Sequence, residues 1–260
     1  MSFSDLLDEA EREERSLRVY NYTGTRGMLD VVSEYLESWN VMVEVEGDDS
    51  SLPENTAVLG LRESPDACSE IDDVYTYLAY RTDKETHTES ESESESEYDD
   101  GGFVGKETPD VIKEIYGSTF EFETKSSLIT ASHEVEGTAL RRGEGTVRSG
   151  FQRLSLIEEQ WGTYSEMASL GVDIHVYGSR GSSDSTWRPP PPDETEVTFH
   201  VSDSPQIQRF WFVVFEAGDG TGRALLAEER EPGRYYGFLT DDYQRVRQIV
   251  ETVSSIETQK

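Results

Sequence analysis

Along the chain, apolar positions switch between a period near four and a period of two, and each switch marks an element. Leu6, Leu7 and Ala10 lie on a charged background from Ser4 to Arg15, which predicts a short helix with a narrow apolar edge. Leu17, Val19 and Asn21 alternate with Arg18, Tyr20 and Tyr22 as a strand does. Met28, Val32, Tyr35 and Trp39 recur at helical spacing, with Leu29 and Leu36 widening the stripe and Asn40 ending it. Val41, Val43 and Val45 then predict a strand and Thr56 to Leu61 a third, with the turn-rich Gly47-Asp-Asp-Ser-Ser between. Residues 1–80 thus read as a helix followed by a β-α-β-β unit.

From Phe210 to Phe215 every residue is aromatic or Val, the pattern of a strand buried on both faces. Gly218, Gly220 and Gly222 supply a turn, and the apolar run from Ala224 to Ala227 follows, so a central buried hairpin is expected near 210–229. A phosphate loop is the other reading of Gly-x-Gly, but it needs a helix that the residues before Pro232 are too few to form.

The other elements of the C-terminal half surround that hairpin. Thr108-Pro109 opens a helix through Val111, Ile112 and Ile115 that Gly117 closes. A longer helix spans Ser126 to Arg142, with Leu128, Ser132, Val135 and Ala139 on one face and Gly143 stopping it, before a strand from Val147 to Phe151. Ser155 to Glu158 has the spacing of a capping box, so Ile157, Trp161, Tyr164 and Ala168 predict a helix ended by Gly171. Val172, Ile174 and Val176 predict one strand and Val197, Phe199 and Val201 another, separated by an irregular proline-stiffened stretch from Gly178 to Asp193. Tyr235 to Leu239 adds a last short strand, and a final helix buries Tyr243, Val246, Val250 and Val253. The fold class is therefore α+β, a mixed or mainly antiparallel sheet with helices packed mainly on one side.

Composition changes this picture at one place and its surroundings everywhere. Residues 81–107 are an acidic low-complexity stretch with a Glu-Ser repeat and almost nothing to bury, so a disordered loop is expected between residues 1–80 and a domain at 108–256. Across the chain, 54 acidic residues stand against 23 basic ones, for a net charge of -31. Lys occurs only at positions 84, 106, 113, 125 and 260. That pattern is similar to proteins of salt-loving archaea; a specialised acidic protein of an ordinary cell is the alternative. Nucleic acid is not expected as a partner, because no cluster of Lys and Arg is present to neutralise phosphates. The single Cys68 excludes an internal disulfide and a Cys-x-x-Cys site. Without a long apolar run or a basic-then-apolar N-terminus, no membrane association is expected and the location is read as cytoplasmic.

Candidate chemistry is sparse. His175 and His200 fall on the polar faces of strands that adjacent pairing would bring together, yet no Cys pair or His-Glu helical motif accompanies them, so neither a metal nor a cofactor is expected. Ser132 and His133 are helical neighbours and point apart, which argues against a nucleophile and its base, and no catalytic residue is assigned. Trp161 and Trp211 read as core. Glu228, Glu229, Arg234, Tyr235 and Tyr236 place charge and aromatic rings just past a buried strand, at a rim able to hold a ligand or partner. The structural alternative is an Arg-carboxylate network that fixes the turn at Pro232-Gly233.

From about Thr108 onward, a little over half of the chain resembles the DICT domain, named as a sensory domain in diguanylate cyclases and two-component systems, in its haloarchaeal form. The blocks that carry the resemblance are Ser132-His-Glu-Val-Glu136, Gly150-Phe-Gln-Arg-Leu-Ser155, Gly171-Val-Asp-Ile-His-Val-Tyr-Gly178, Trp211-Phe-Val-Val-Phe215, Leu225-Leu-Ala-Glu-Glu-Arg-Glu-Pro-Gly-Arg234 and Tyr236-Gly-Phe238. Leu239 stands where many relatives place Trp. The resemblance implies an α+β fold and a regulatory, non-catalytic role, inferred for the family from its occurrence beside cyclase, phosphodiesterase and kinase modules; it brings no catalytic residues. The expectation is a sensory or adaptor protein with a small ligand or a signalling protein as partner. A small enzyme acting at the 228–236 rim is the alternative.

Overall fold

A computed structural model describes residues 1–12, 15–61, 64–88, 108–115, 117–122, 124–180, 190 and 195–257. Residues 89–107, with most of the acidic tract, and nearly all of 181–194 lie outside the described residues. The chain divides into two compact units, one of Met1–Arg12 with Thr119–Lys260 and one of Glu13–Ser118.

Helix α1 (Phe3–Glu11) opens with a capping box in which the Ser2 hydroxyl accepts from the Asp5 amide and the Asp5 carboxylate accepts from the Ser2 amide. Its buried edge is Phe3, Leu6, Leu7 and Ala10.

The unit of residues 13–118 follows in sequence. Strands β1 (Ser16–Tyr20), β2 (Met42–Val45), β3 (Thr56–Leu61) and β4 (Ser64–Glu70) form a sheet in the order β2-β1-β3-β4, with β1 parallel to β2 and antiparallel to β3. The crossover from β1 to β2 is helix α2 (Arg26–Glu37), which buries Val32 and Leu36. Asn21 ends β1 instead of extending it: its φ is 51°, and its amide donates to the carbonyls of Asp49 and Leu52 at 2.8 and 2.9 Å, which ties down the Asp49 to Leu52 turn. Strand β4 was illegible in sequence because Ser-Pro-Asp-Ala-Cys-Ser-Glu has little apolar content, and its edge position tolerates Pro65. Helix α3 (Ile71–Thr88) buries Ile71, Val74 and Leu78, and it carries the first residues of the stretch read as a loop into helix. Helix α4 (Asp110–Ile115) follows Thr108-Pro109 and buries Val111, Ile112 and Ile115.

The unit that α1 shares with residues 119–260 holds a seven-stranded mixed sheet. Its strands are β5 (Thr119–Phe122), β6 (Thr146–Arg153), β7 (Asp173–Ser179), β8 (Val197–Val201), β9 (Phe210–Glu216), β10 (Gly222–Glu231) and β11 (Arg234–Thr240), ordered β5-β11-β10-β9-β6-β7-β8. Pairings β6-β7 and β7-β8 are parallel and the others antiparallel. The expected hairpin is β9-β10, at the centre of the sheet.

Alternation along β9 divides the core. Phe210, Phe212 and Val214 pack with α1, with Ile207 of α7 (Pro205–Arg209) and with α8 (Tyr243–Glu257). Trp211, Val213 and Phe215 lie across from Phe151, Ser149 and Val147 of β6, on the face covered by α5 (Lys125–Arg142) and α6 (Trp161–Leu170). Helices therefore cover both faces, because the far N-terminal α1 and the C-terminal α8 supply the layer that sequence order did not reveal. Gly150 of β6 lies against Phe212, and a Cβ there would sit 2.2 Å from the ring. Just beyond, Gln152 at φ 53° marks the irregularity that ends regular β6-β7 pairing. The capping box read at Ser155 does not form. Residues Leu154–Gln160 make a 3-10 turn with no side-chain cap, and α6 starts at Trp161, although Gly171 caps its C-terminus at φ 105° as expected.

Candidate functional site

The rim residues come from the far ends of β10 and β11, and the pleat sorts them onto two faces. Glu228 pairs with Tyr236 in register and both belong to the α1 side, with Phe210 next in line on β9. Glu228 is 5% exposed, and its charge is compensated by ion pairs to Arg209 and, at 3.9 Å, to Arg230. The Arg230 guanidinium lies 3.7 Å from the centroid of the Tyr236 ring and 3.4 Å from Glu11 of α1. Burial raises the Tyr236 phenol above its usual range.

Glu229 and Tyr235 form the next pair in register and so fall on the opposite face. The Glu229 carboxylate accepts from the Gly233 amide at 2.9 Å and so braces the turn at Pro232-Gly233. Arg234 reaches Glu121 of β5 at 3.0 Å and Glu231 at 3.8 Å. The structure thus brings Glu228 and Tyr236 together with Arg209 and Arg230, which the sequence did not single out, and sets Glu229 and Tyr235 on the other face, while Arg234 is engaged by Glu121 and Glu231.

A second polar cluster lies inside the α5 layer. Tyr164 of α6 is fully buried; its hydroxyl is 2.8 Å from Glu136 Oε1 and 2.7 Å from Ser149 Oγ. The phenol has one proton, so against a carboxylate it donates to Glu136 and accepts from Ser149. Glu136 is 1% exposed, and its Oε2 accepts no hydrogen bond among the described residues. The closest described ion-pair partner of Oε2 is Nε2 of the half-buried His133, at 3.9 Å. Burial pushes Glu136 from its usual 4.5 up to about 7, opposed by the Tyr164 hydrogen bond, and burial lowers His133. One turn earlier, Ser132 Oγ accepts from Trp211 Nε1 at 3.0 Å and donates to the Leu128 carbonyl at 3.0 Å, so Trp211 is core and Ser132 and His133 make no nucleophile-base pair. Glu136 was overlooked because its charge reads as solvent-facing; its place four residues after Ser132, on the Leu128-Ser132 stripe, was the available signal.

His175 and His200 do meet. Parallel pairing of β7 and β8 puts His175 Nδ1 2.9 Å from His200 Nε2, with Asp173 Oδ2 3.0 Å from His175 Nε2 and the Tyr177 ring stacked on His200 at 4.4 Å. Among the described residues, no group of three or more His, Cys, Asp or Glu is placed to hold a metal ion. Trp161, at the start of α6, stacks on Phe199 at 6.0 Å.

The family model described as DICT, the sensory domain in diguanylate cyclases and two-component systems, matches residues 116–230. Residues 116–230 are thus similar to a DICT domain. The match takes in the β9-β10 hairpin, α5, α6 and the whole Glu136 cluster; of the rim residues it includes Glu228 and Glu229 and leaves out Arg234, Tyr235 and Tyr236. A search of curated proteins found no match. Among solved structures, a polyphosphate kinase from Porphyromonas gingivalis aligns over 96% of this chain at 11% identity and a TM-score of 0.33. The chain spans 47% of that kinase's length. Among the described residues, no helix is long and apolar enough to cross a membrane.

Proposed function

We propose that this protein is a non-catalytic sensory or adaptor component of a signalling system, working in the cytoplasm of a halophilic archaeon. The DICT match carries the signalling part of this reading, because DICT is a sensory domain of signalling proteins. The salt-loving setting rests on the charge of -31 and the scarcity of Lys. The end of the β10-β11 hairpin, with Glu228, Glu229, Arg234, Tyr235 and Tyr236, is where a small ligand or a partner protein is received. The charge compensation at this rim supports binding over catalysis. Glu228 is held by Arg209 and Arg230, and Glu229 by a backbone amide, so neither is a free base.

The test is a pull-down from native cells in high salt, with the wild-type chain and Arg234→Ala compared at matched thermal stability. Loss of a specific partner from a variant that melts normally supports the rim. If Arg234→Ala keeps every partner and every ligand that co-purifies with the wild type, the rim assignment is wrong.

A further inference from the structure

Among the described residues, Glu136 and Glu228 are buried carboxyls with an oxygen that accepts no hydrogen bond, but Glu228 is ion-paired with arginines, whereas Glu136 has only the half-buried His133 at 3.9 Å. Natural interiors pair buried polar atoms, since an unpaired one is costly, and more so when charged. Here Oε1 has Tyr164 and Oε2 has no hydrogen bond among the described residues. A neutral acid relieves that misfit because the proton on Oε2 removes the charge, whereas a carboxylate keeps it. We propose that Glu136 is a proton-binding site, and that release of its proton changes how α5 packs on α6 and the sheet.

Among the described residues, no Lys or Arg forms an ion pair with Glu136. On its own helix His133 lies 3.9 Å away, toward solvent. From α6 comes Tyr164, from β6 the uncharged Ser149, and from β9 Trp211 with Val213 and Phe215 on the same face. Arg223 of β10 faces α5 too, but its guanidinium is divided between Glu134 at 3.8 Å and Asp241 at 2.6 Å. Glu229 of β10, held by the Gly233 amide, and Tyr235 of β11 also lie on that face; Glu121 of β5 pairs with Arg234, and Lys125 at the start of α5 with Glu159 of the 3-10 turn at 3.7 Å.

When the proton leaves, the O–H bond on Oε2 breaks, the electron pair stays on the carboxylate, and the proton passes to solvent past the His133 imidazole. The new charge sits where α5 also holds Ser132 against Trp211, so a shift of α5 toward His133 and water would disturb the β9 contact. Burial holds Glu136 at about 7, which places the event near neutrality.

The experiment is infrared difference spectroscopy of the full-length chain titrated between about pH 5 and about pH 9, at constant high salt. A protonated-carboxyl band that titrates near neutrality and is missing in Glu136→Gln is expected. Tyr164→Phe removes a donor to the charged form and should move the midpoint up by about one pH unit, while His133→Gln should leave the band in place. Absence of the band in the wild type, or its persistence in Glu136→Gln, overturns the site. A Tyr164→Phe midpoint that stays or falls overturns the geometry. A rim variant that loses its partner but titrates normally separates failure of this proposal from failure of the rim.

Discussion

Burying Glu136 fixes the sign of a pH effect on stability. Its carboxyl is held up to about 7 in the folded chain against 4.5 for an ordinary Glu, so the folded state binds the proton more tightly than the unfolded state. Below 4.5 both states are protonated and the group contributes no slope. Between 4.5 and about 7 only the folded state keeps the proton, so stability falls as pH rises; above about 7 the slope vanishes again. At about 1.4 kcal/mol per pH unit, the loss across the window is on the order of 3 kcal/mol. His133 acts in the opposite sense. Burial lowers it below 6.5, so its contribution rises with pH just under that value. Asp219, lowered to about 2 by Thr221 and Arg142, titrates below the window. Comparison with Glu136→Gln, which keeps His133 and Asp219, isolates the Glu136 contribution. Denaturant unfolding of both chains at several pH values and fixed high salt should show the variant gaining on the wild type by about 3 kcal/mol between acid and mildly alkaline conditions. Parallel curves would refute the reasoning, because they would mean that Glu136 is solvated when folded.

Other outcomes can be checked independently. Trp211→Ala removes a side chain only 3% exposed, its edge contact with Phe151 at 5.4 Å and its bond to Ser132, and should cost about 3–5 kcal/mol in a chemical melt; a loss below about 1 kcal/mol would contradict the core assignment. Arg234→Ala, on a half-exposed ion pair with Glu121, should cost about 1 kcal/mol or less in the same assay. With a net charge of -31, the melting midpoint followed by circular dichroism should rise as salt goes from dilute to molar, and a constant midpoint would sink the halophilic reading.

What the sequence disclosed follows from how strongly each segment is patterned. Phe210 to Phe215 has no polar member, so its burial on both faces and its central position were legible. The α5 helix and its Gly143 stop were legible from spacing and turn chemistry. Segments held by their neighbours were not: β4 has too few apolar residues, β5 has four residues in all, and α7 is a single short turn. The same division applies to candidate sites. A rim of charges past a strand can be seen in sequence, but the pleat that separates Glu228 and Tyr236 from Glu229 and Tyr235 appears only with the register. Glu136 was hidden by its residue type, and Arg209 by the crossover through α7 that brings it to Glu228.

The matched DICT segment and the core that stabilises it have different boundaries. The match ends at residue 230, within β10, yet β5 near its start joins the sheet through β11, which lies beyond that end. Phe210, Phe212 and Val214, on the central strand β9 within the matched segment, are covered by Phe3, Leu6 and Leu7 of α1 and by Val246, Ile249 and Val253 of α8, all outside it. Aromatic contacts show the dependence directly: the Phe3 ring lies 5.4 Å from Phe210 and 5.2 Å from Phe212. A fragment of residues 116–230 would leave one face of its central strand open and β5 without its partner, exposing an apolar surface that favours aggregation. In this chain nearly all of the matched segment lies in the compact unit of Met1–Arg12, which contains α1, and Thr119–Lys260. Since α1 also brings Glu11 to Arg230, the helix that completes the core also helps set the charge at the rim.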